Sequence, residues 1–157
     1  MNTTVFSTLA AIFSLTPAMV QAAEPSFADK SHQAVAKLQS ILPDTARIVV
    51  EYHYFSSQYT APPPVELSNE ETQAVLRVLQ GVRPLFQRGK RYVKYKGTHR
   101  LVFYHANGKK LGYLSMIDLA SQPELTTDSR YAANAKMCLP PDDYKQLRQI
   151  ITTKIKP

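Results

Sequence analysis

The chain has 157 residues, a formal charge of +7 and an ordinary hydrophobic share of 44%, which excludes a disordered polymer and is enough for one domain with a real core. Its single cysteine, Cys138, excludes an intramolecular disulfide, so packing must hold the fold. The patterns H-E-x-x-H, G-x-S-x-G, C-x-x-C, Walker A and G-x-G-x-x-G do not occur, which removes the commonest hydrolase, redox and nucleotide-binding signatures.

Residues 1–23 carry no charged side chain. An apolar stretch from Val5 to Val20 is diluted by Ser7, Thr8, Ser14 and Thr16, and a spanning helix wants roughly 20 mostly apolar residues. Pro17 ends the helical stretch, and Val20-Gln21-Ala22 supplies the small residues that a signal peptidase needs. The expectation is a signal peptide over 1–22 and a single domain over 23–157, with no transmembrane span in the mature chain. An uncleaved anchor competes with this reading, because the usual positive n-region is missing and the terminal amine alone supplies charge there. Export would place the chain in a bacterial periplasm or outside the cell. There Cys138 is expected to be either buried and inert, the favoured reading, or a bridge between two chains.

Ser26 to Leu42 is expected to form the first helix. Ser26 and Asp29 have capping-box spacing, and Phe27, Ala34, Val35, Leu38, Ile41 and Leu42 recur at helical period. Arg47 to Phe55 predicts a strand with Ile48, Val50, Tyr52 and Tyr54 on one face and Arg47, Val49, Glu51, His53 and Phe55 on the other. Ala61-Pro62-Pro63-Pro64 is a stiff connector. Ser68 and Glu71 open a second helix with a second capping box; Ala74, Val75, Val78 and Leu79 form its inner stripe, and Gly81 is its expected stop. Val82 to Phe86 is assigned to a turn region, and Arg88 to Lys96 to a short strand.

Asn107-Gly108 between alternating apolar runs predicts a hairpin with a two-residue type I′ turn. That register pairs Tyr104 with Leu111, Val102 with Tyr113 and Leu101 with Leu114. Leu101, Phe103, Leu114 and Met116 would face the core. Arg100, Val102, Tyr104, Leu111 and Tyr113 would form a second face, too apolar for plain solvent surface, that is either covered by helices or used for recognition. Asp118 to Arg130 is expected to be a polar loop, followed by an edge strand around Ala135 to Leu139. Pro140-Pro141-Asp142-Asp143 starts a last helix with Tyr144, Leu147, Ile150 and Ile151 inward and Lys154 and Lys156 near its C-terminal end. The element order argues an α+β fold: an antiparallel sheet of about four strands with helices mainly on one face.

Charge is placed unevenly. Between Thr72 and Ile117 there is no acidic residue, yet ten of the nineteen Lys and Arg lie there. The densest part is Arg88, Lys90, Arg91, Tyr92, Lys94, Tyr95 and Lys96, followed by Arg100. Cations this close repel one another, and an acidic partner relieves the repulsion. Edge protection or a simply solvated face is the competing reading. Together with Tyr104 and Tyr113, these residues are the candidate binding surface. Nucleic acid is disfavoured as partner, since no recognition helix or RNA motif accompanies the charge.

The histidines, His32, His53, His99 and His105, have no metal-ligand spacing, and no cofactor or metal is expected. Glu51 and His53 project from one strand face as a candidate acid–base pair, against the plainer reading of two solvated residues. Asp118, Asp128, Asp142 and Asp143 are the acids a hydrolase would have to draw on, with nothing in their spacing to favour one. The best-supported expectation is therefore an exported, non-enzymatic binding protein, an inhibitor or immunity-type module, that engages an acidic protein. A binder of anionic envelope components such as lipid phosphates or wall polymers comes second, and an uncharacterised hydrolase third.

Overall fold

The computed structural model of the chain describes residues 26–54, 56–85, 97–116, 124–126 and 137–155. The signal peptide expected over 1–22, Phe55, the basic segment 88–96, Asp118, Asp128 and Lys156 lie outside the described residues. The chain has an α+β fold with an antiparallel sheet.

Helix α1 spans Phe27–Ile41 and opens with the expected capping box: the Ser26 hydroxyl accepts from Asp29 N–H, and the Asp29 carboxylate accepts from Ser26 N–H. Helix α2, Asn69–Leu79, repeats the device with Ser68 and Glu71. Helix α3, Pro141–Lys154, has no side-chain cap, but Pro141 needs no acceptor for its nitrogen and Asp142 and Asp143 meet the positive end of the dipole.

The sheet is built on three long strands: β1 (Arg47–Tyr54), β4 (Gly97–Tyr104) and β5 (Lys110–Met116). Short strands β2 (Val65–Glu66), β3 (Arg83–Pro84), β6 (Glu124–Thr126) and β7 (Met137–Cys138) extend it in the order β2-β1-β4-β5-β6-β7-β3. Residues expected in a turn thus form strand β3. Pro84 is tolerated there because β3 is the sheet margin, where no outer neighbour needs its missing N–H. Strand β7, expected at the edge, is interior because β3 pairs with it. β2 and β6 are too short to leave an alternating pattern.

One sheet face is the core. Ile48, Val50 and Tyr52 of β1, His99, Leu101 and Phe103 of β4, and Leu114 and Met116 of β5 are buried. They pack with Ala34, Val35 and Leu38 of α1, Val75, Val78 and Leu79 of α2, and Tyr144, Leu147 and Ile151 of α3 in one cluster, or, for His99, against it through the Tyr52 ring 4.8 Å away. Leu76 rather than Ala74 completes the buried stripe of α2. Gly81 is not a left-handed stop, because Gly108 alone among the described residues has positive φ. Its size matters instead: a Cβ there would lie 3.2 Å from the Asp143 carboxylate at the start of α3.

The hairpin keeps its expected strands but not its expected turn. Type I′ needs positive φ at both central residues, and Asn107 does not have it, so the expected turn is excluded. Gly108 N–H donates to His105 C=O at 2.9 Å, and His105 N–H donates to Lys109 C=O at 2.9 Å. The loop is therefore three residues, Ala106 to Gly108, with glycine in the left-handed position at φ 83°. The longer loop shifts the pairing so that Tyr104 faces Lys110, not Leu111. A bulge then takes up Leu111, which packs against the core, and the expected pairs Val102–Tyr113 and Leu101–Leu114 are restored.

Candidate functional site

The face turned away from the helices is a small lattice fixed by strand register. Arg47, Tyr104 and Lys110 form one row across β1, β4 and β5; Val49, Val102 and Tyr113 form the next; Glu51, Arg100 and Ser115 form a third; His53 and Thr98 end it. Neighbouring strands lie about 4.8 Å apart, so side chains of adjacent rows and strands touch. Val102 and Ser115 at the centre are fully buried and Thr98 is buried, while Arg47, Val49, Arg100, Tyr104 and Tyr113 are half-buried and Lys110 is exposed.

Cations and rings meet twice on this face. The Arg47 guanidinium lies 4.6 Å from the Tyr104 ring centroid. The Arg100 guanidinium lies 4.4 Å from that of Tyr113, with Lys110 Nζ at 5.6 Å from the same ring. Such stacking holds a long cationic side chain in place and contributes about 0.5–1 kcal/mol at a half-exposed site. Ordering the cations in advance lowers the entropy lost when a partner binds.

Glu66 and Glu51, on β2 and β1, are both engaged by β1. Glu66, opposite Val49 on β2, accepts from Arg47 at 2.9 Å. Glu51 lies 2.8 Å from His53 Nε2, at side-chain exposures of 24% and 41%. The candidate acid–base pair is thus a direct contact. No nucleophile is held against it among the described contacts, and among the described residues no group of three or more His, Cys, Asp or Glu could hold a metal ion.

Of the ten residues expected to form the binding surface, Arg100, Tyr104 and Tyr113 share this face. Arg88, Lys90, Arg91, Tyr92, Lys94, Tyr95 and Lys96 lie outside the described residues. The structure adds Arg47 and Lys110, which sequence reasoning missed as site residues. Arg47 was legible as a member of the outer face of β1, but its meeting with Tyr104 depends on long-range pairing. Lys110 reaches the row only through the longer turn. Leu111, expected on this face, is removed from it by the bulge.

The other features lead elsewhere. His99 is buried in the core, its Nε2 3.2 Å from the Ile155 carbonyl. His32 is exposed on α1, and His105 accepts from Asn107 N–H in the turn. Cys138 is half-buried, not buried as favoured from the sequence. A groove of about 410 Å³ between the end of α1 and α2 is lined by Leu42, Pro43, Leu76, Arg77 and glutamine side chains. No described helix is long and apolar enough to cross a membrane. Compared with protein-family models, with curated proteins and with solved structures, the chain matches none.

Proposed function

We propose that this chain is an exported, non-enzymatic binding protein that engages an acidic protein partner through the sheet face opposite its helices. The observation that carries the reading is the pair of cation–ring stacks, Arg47 on Tyr104 and Arg100 on Tyr113, held in register on one face. Tyrosine gives contact area at low entropic cost, and arginine and lysine steer an acidic partner toward it. In sequence the basic run from Arg88 to Lys96 directly precedes β4 and adds to the positive charge of the chain. Export rests on the uncharged segment 1–23 and is a periplasmic or secreted address.

The test is capture from native envelope extract with the exported protein as bait. One acidic protein should be recovered, and its recovery should fall as salt rises through the physiological range. Recovery of nothing above background at low salt would sink the reading. Enrichment of anionic lipid or wall polymer alone would replace the protein partner with an envelope component. Intact mass of the exported chain checks the address: residues 1–22 should be absent.

A further inference from the structure

The Arg47–Tyr104 stack already holds a carboxylate, and the chain itself supplies it. Val49 of β1 is paired with Glu66 of β2, which sets the Glu66 side chain on the helix-free face beside Arg47. Glu66 Oε2 accepts from Arg47 Nη1 at 2.9 Å, while the Arg47 guanidinium lies 4.6 Å from the Tyr104 ring centroid. The contact is open and incomplete. The side chains of Arg47 and Glu66 are 42% and 53% exposed, and solvent and salt leave such a pair weak. Arg47 donates to Glu66 through Nη1 alone, whereas a guanidinium offers five N–H groups in a fork that a carboxylate can take two at a time. Glu66 also stands on a two-residue strand at the sheet margin, and its side chain can swing away without breaking a ladder bond. Arg100, the other guanidinium of the face, is set deeper, with its Nε buried.

We infer that the Arg47–Tyr104 stack is the point where a carboxylate side chain of an acidic polypeptide docks, and that Glu66 is the internal carboxylate it must displace. This inference rests on the proposed binding role of the face, and names its docking point and the residue that restrains it. Glu66 displays the chemistry of the ligand directly, because a carboxylate at hydrogen-bond distance is what this stacked guanidinium holds. The Tyr104 ring keeps Arg47 in place once Glu66 leaves, so the incoming group meets a cation already ordered. A partner carboxylate can also take the fork with both oxygens, a gain that Glu66 does not reach. Tethering makes Glu66 a competitor at fixed effective concentration. The partner's affinity is reduced by the fraction of chains in which Arg47 is already taken. For an exposed ion pair that reduction is about threefold.

The experiment is a titration of the full-length, isotope-labelled protein with a synthetic poly-glutamate peptide at low salt, read by NMR and repeated on variants. The Arg47 Nε–H and Glu66 carboxyl signals should move together as peptide is added. Glu66→Gln should tighten binding about threefold, and Arg47→Gln should weaken it by about as much. In the double variant the gain from Glu66→Gln should vanish, since the cation it frees is gone. Asp142→Asn removes one exposed acid from α3, on the other side of the sheet, and should tighten binding by less than about 1.5-fold through net charge alone. Equal gains from Glu66→Gln and Asp142→Asn would overturn the docking point while leaving the acidic-partner reading intact. A gain from Glu66→Gln that survives in the Arg47→Gln background would do the same. If neither the native chain nor Glu66→Gln binds the peptide, the docking point and the acidic-partner reading fall together, and sedimentation with phosphatidylglycerol vesicles would then assign the charge to a lipid surface. Glu66 and Asp142 are exposed and Arg47 is half-buried, and unchanged amide spectra without peptide confirm that the fold is intact.

Discussion

Lys154 Nζ lies 2.7 Å from Glu71 Oε1, so the last turn of α3 is tied to the capping box that starts α2. The same carboxylate accepts from Ser68 N–H through Oε2 at 2.9 Å. One side chain thus satisfies a helix start and joins two helices. The Lys154 ammonium, and after it the Ser68 N–H, hold the Glu71 carboxyl below its ordinary range. Asp29 is held low in the same direction by the Ser26 hydroxyl and N–H.

A depressed carboxyl binds its proton more weakly in the folded chain than in the unfolded one. Its contribution is therefore complete at neutral pH, and it is lost as pH falls through the carboxylate range. Glu71→Gln should cost about 1 kcal/mol at pH 7, from the weakened cap and the lost pair. The variant and the native chain should converge in stability as pH drops toward the acid limit. Chemical unfolding across pH checks this; a difference independent of pH would show that the charge on Glu71 contributes nothing.

Two glycines of the sheet face opposite outcomes on gaining a methyl group. A Cβ at Gly97 would collide with the His53 carbonyl and lie 2.7 Å from Tyr52 Cε1, and a backbone atom cannot turn aside. At Gly112 the nearest atom is Ile41 Cδ1 at 3.1 Å, the end of a flexible side chain on α1. Gly97→Ala should cost about 3 kcal/mol, as overpacking against a fixed strand does. Gly112→Ala should stay within about 1 kcal/mol, because the reduced freedom of the unfolded chain offsets a small shift of Ile41. Thermal unfolding of the pair decides; equal costs would mean that β1 and β4 yield as readily as a side chain.

The same contrast between local and distant causes governs what the sequence reveals. Both capping boxes are legible because their partners lie three residues apart, at Ser26 with Asp29 and Ser68 with Glu71. The inward face of β1 is legible because Ile48, Val50 and Tyr52 alternate at period two. The turn is not, since Asn107-Gly108 suits both a two-residue loop and the second half of a three-residue one. Only the closing bond from Gly108 to His105 distinguishes them. β2 and β3 are two residues each and exist because β1 and β7 offer them bonds. In the candidate site, Tyr104 and Tyr113 stand out as aromatics on a strand, whereas the roles of Arg47 and Glu66 arise from pairing across 19 residues of chain.

The turn chemistry gives its own test. Gly108 has φ 83° and no atom within 4 Å of where a Cβ would stand, so a substitution there meets backbone strain and nothing else. Gly108→Ala should cost about 1 kcal/mol, and Gly108→Asn less, because asparagine tolerates the left-handed region better. Neither should move the amide signals of β4 and β5 away from the turn. Unfolding midpoints and amide spectra read both effects. Equal costs for alanine and asparagine would mean that the turn relaxes out of the left-handed conformation.

Two hydroxyls on the helix-free face make the sharpest stability test, because they predict opposite signs. Thr98 Oγ1 donates to the Met116 carbonyl at 2.6 Å across β4 and β5. Ser115 Oγ is fully buried one strand away and has no hydrogen-bond partner among the described residues. A buried hydroxyl without a partner carries a desolvation cost of about 1–3 kcal/mol that no bond offsets. Ser115→Ala removes the polar atom at the loss of little volume, and should raise stability by about 1 kcal/mol. Thr98→Val keeps the shape but deletes a made bond, and should lower stability by about the same amount. Both sites are buried, so neither substitution alters the exposed charge of the face. If Ser115→Ala instead destabilises the chain, the hydroxyl is bonded in solution, and the polar row from Glu51 through Arg100 to Ser115 is a connected network whose members stabilise one another.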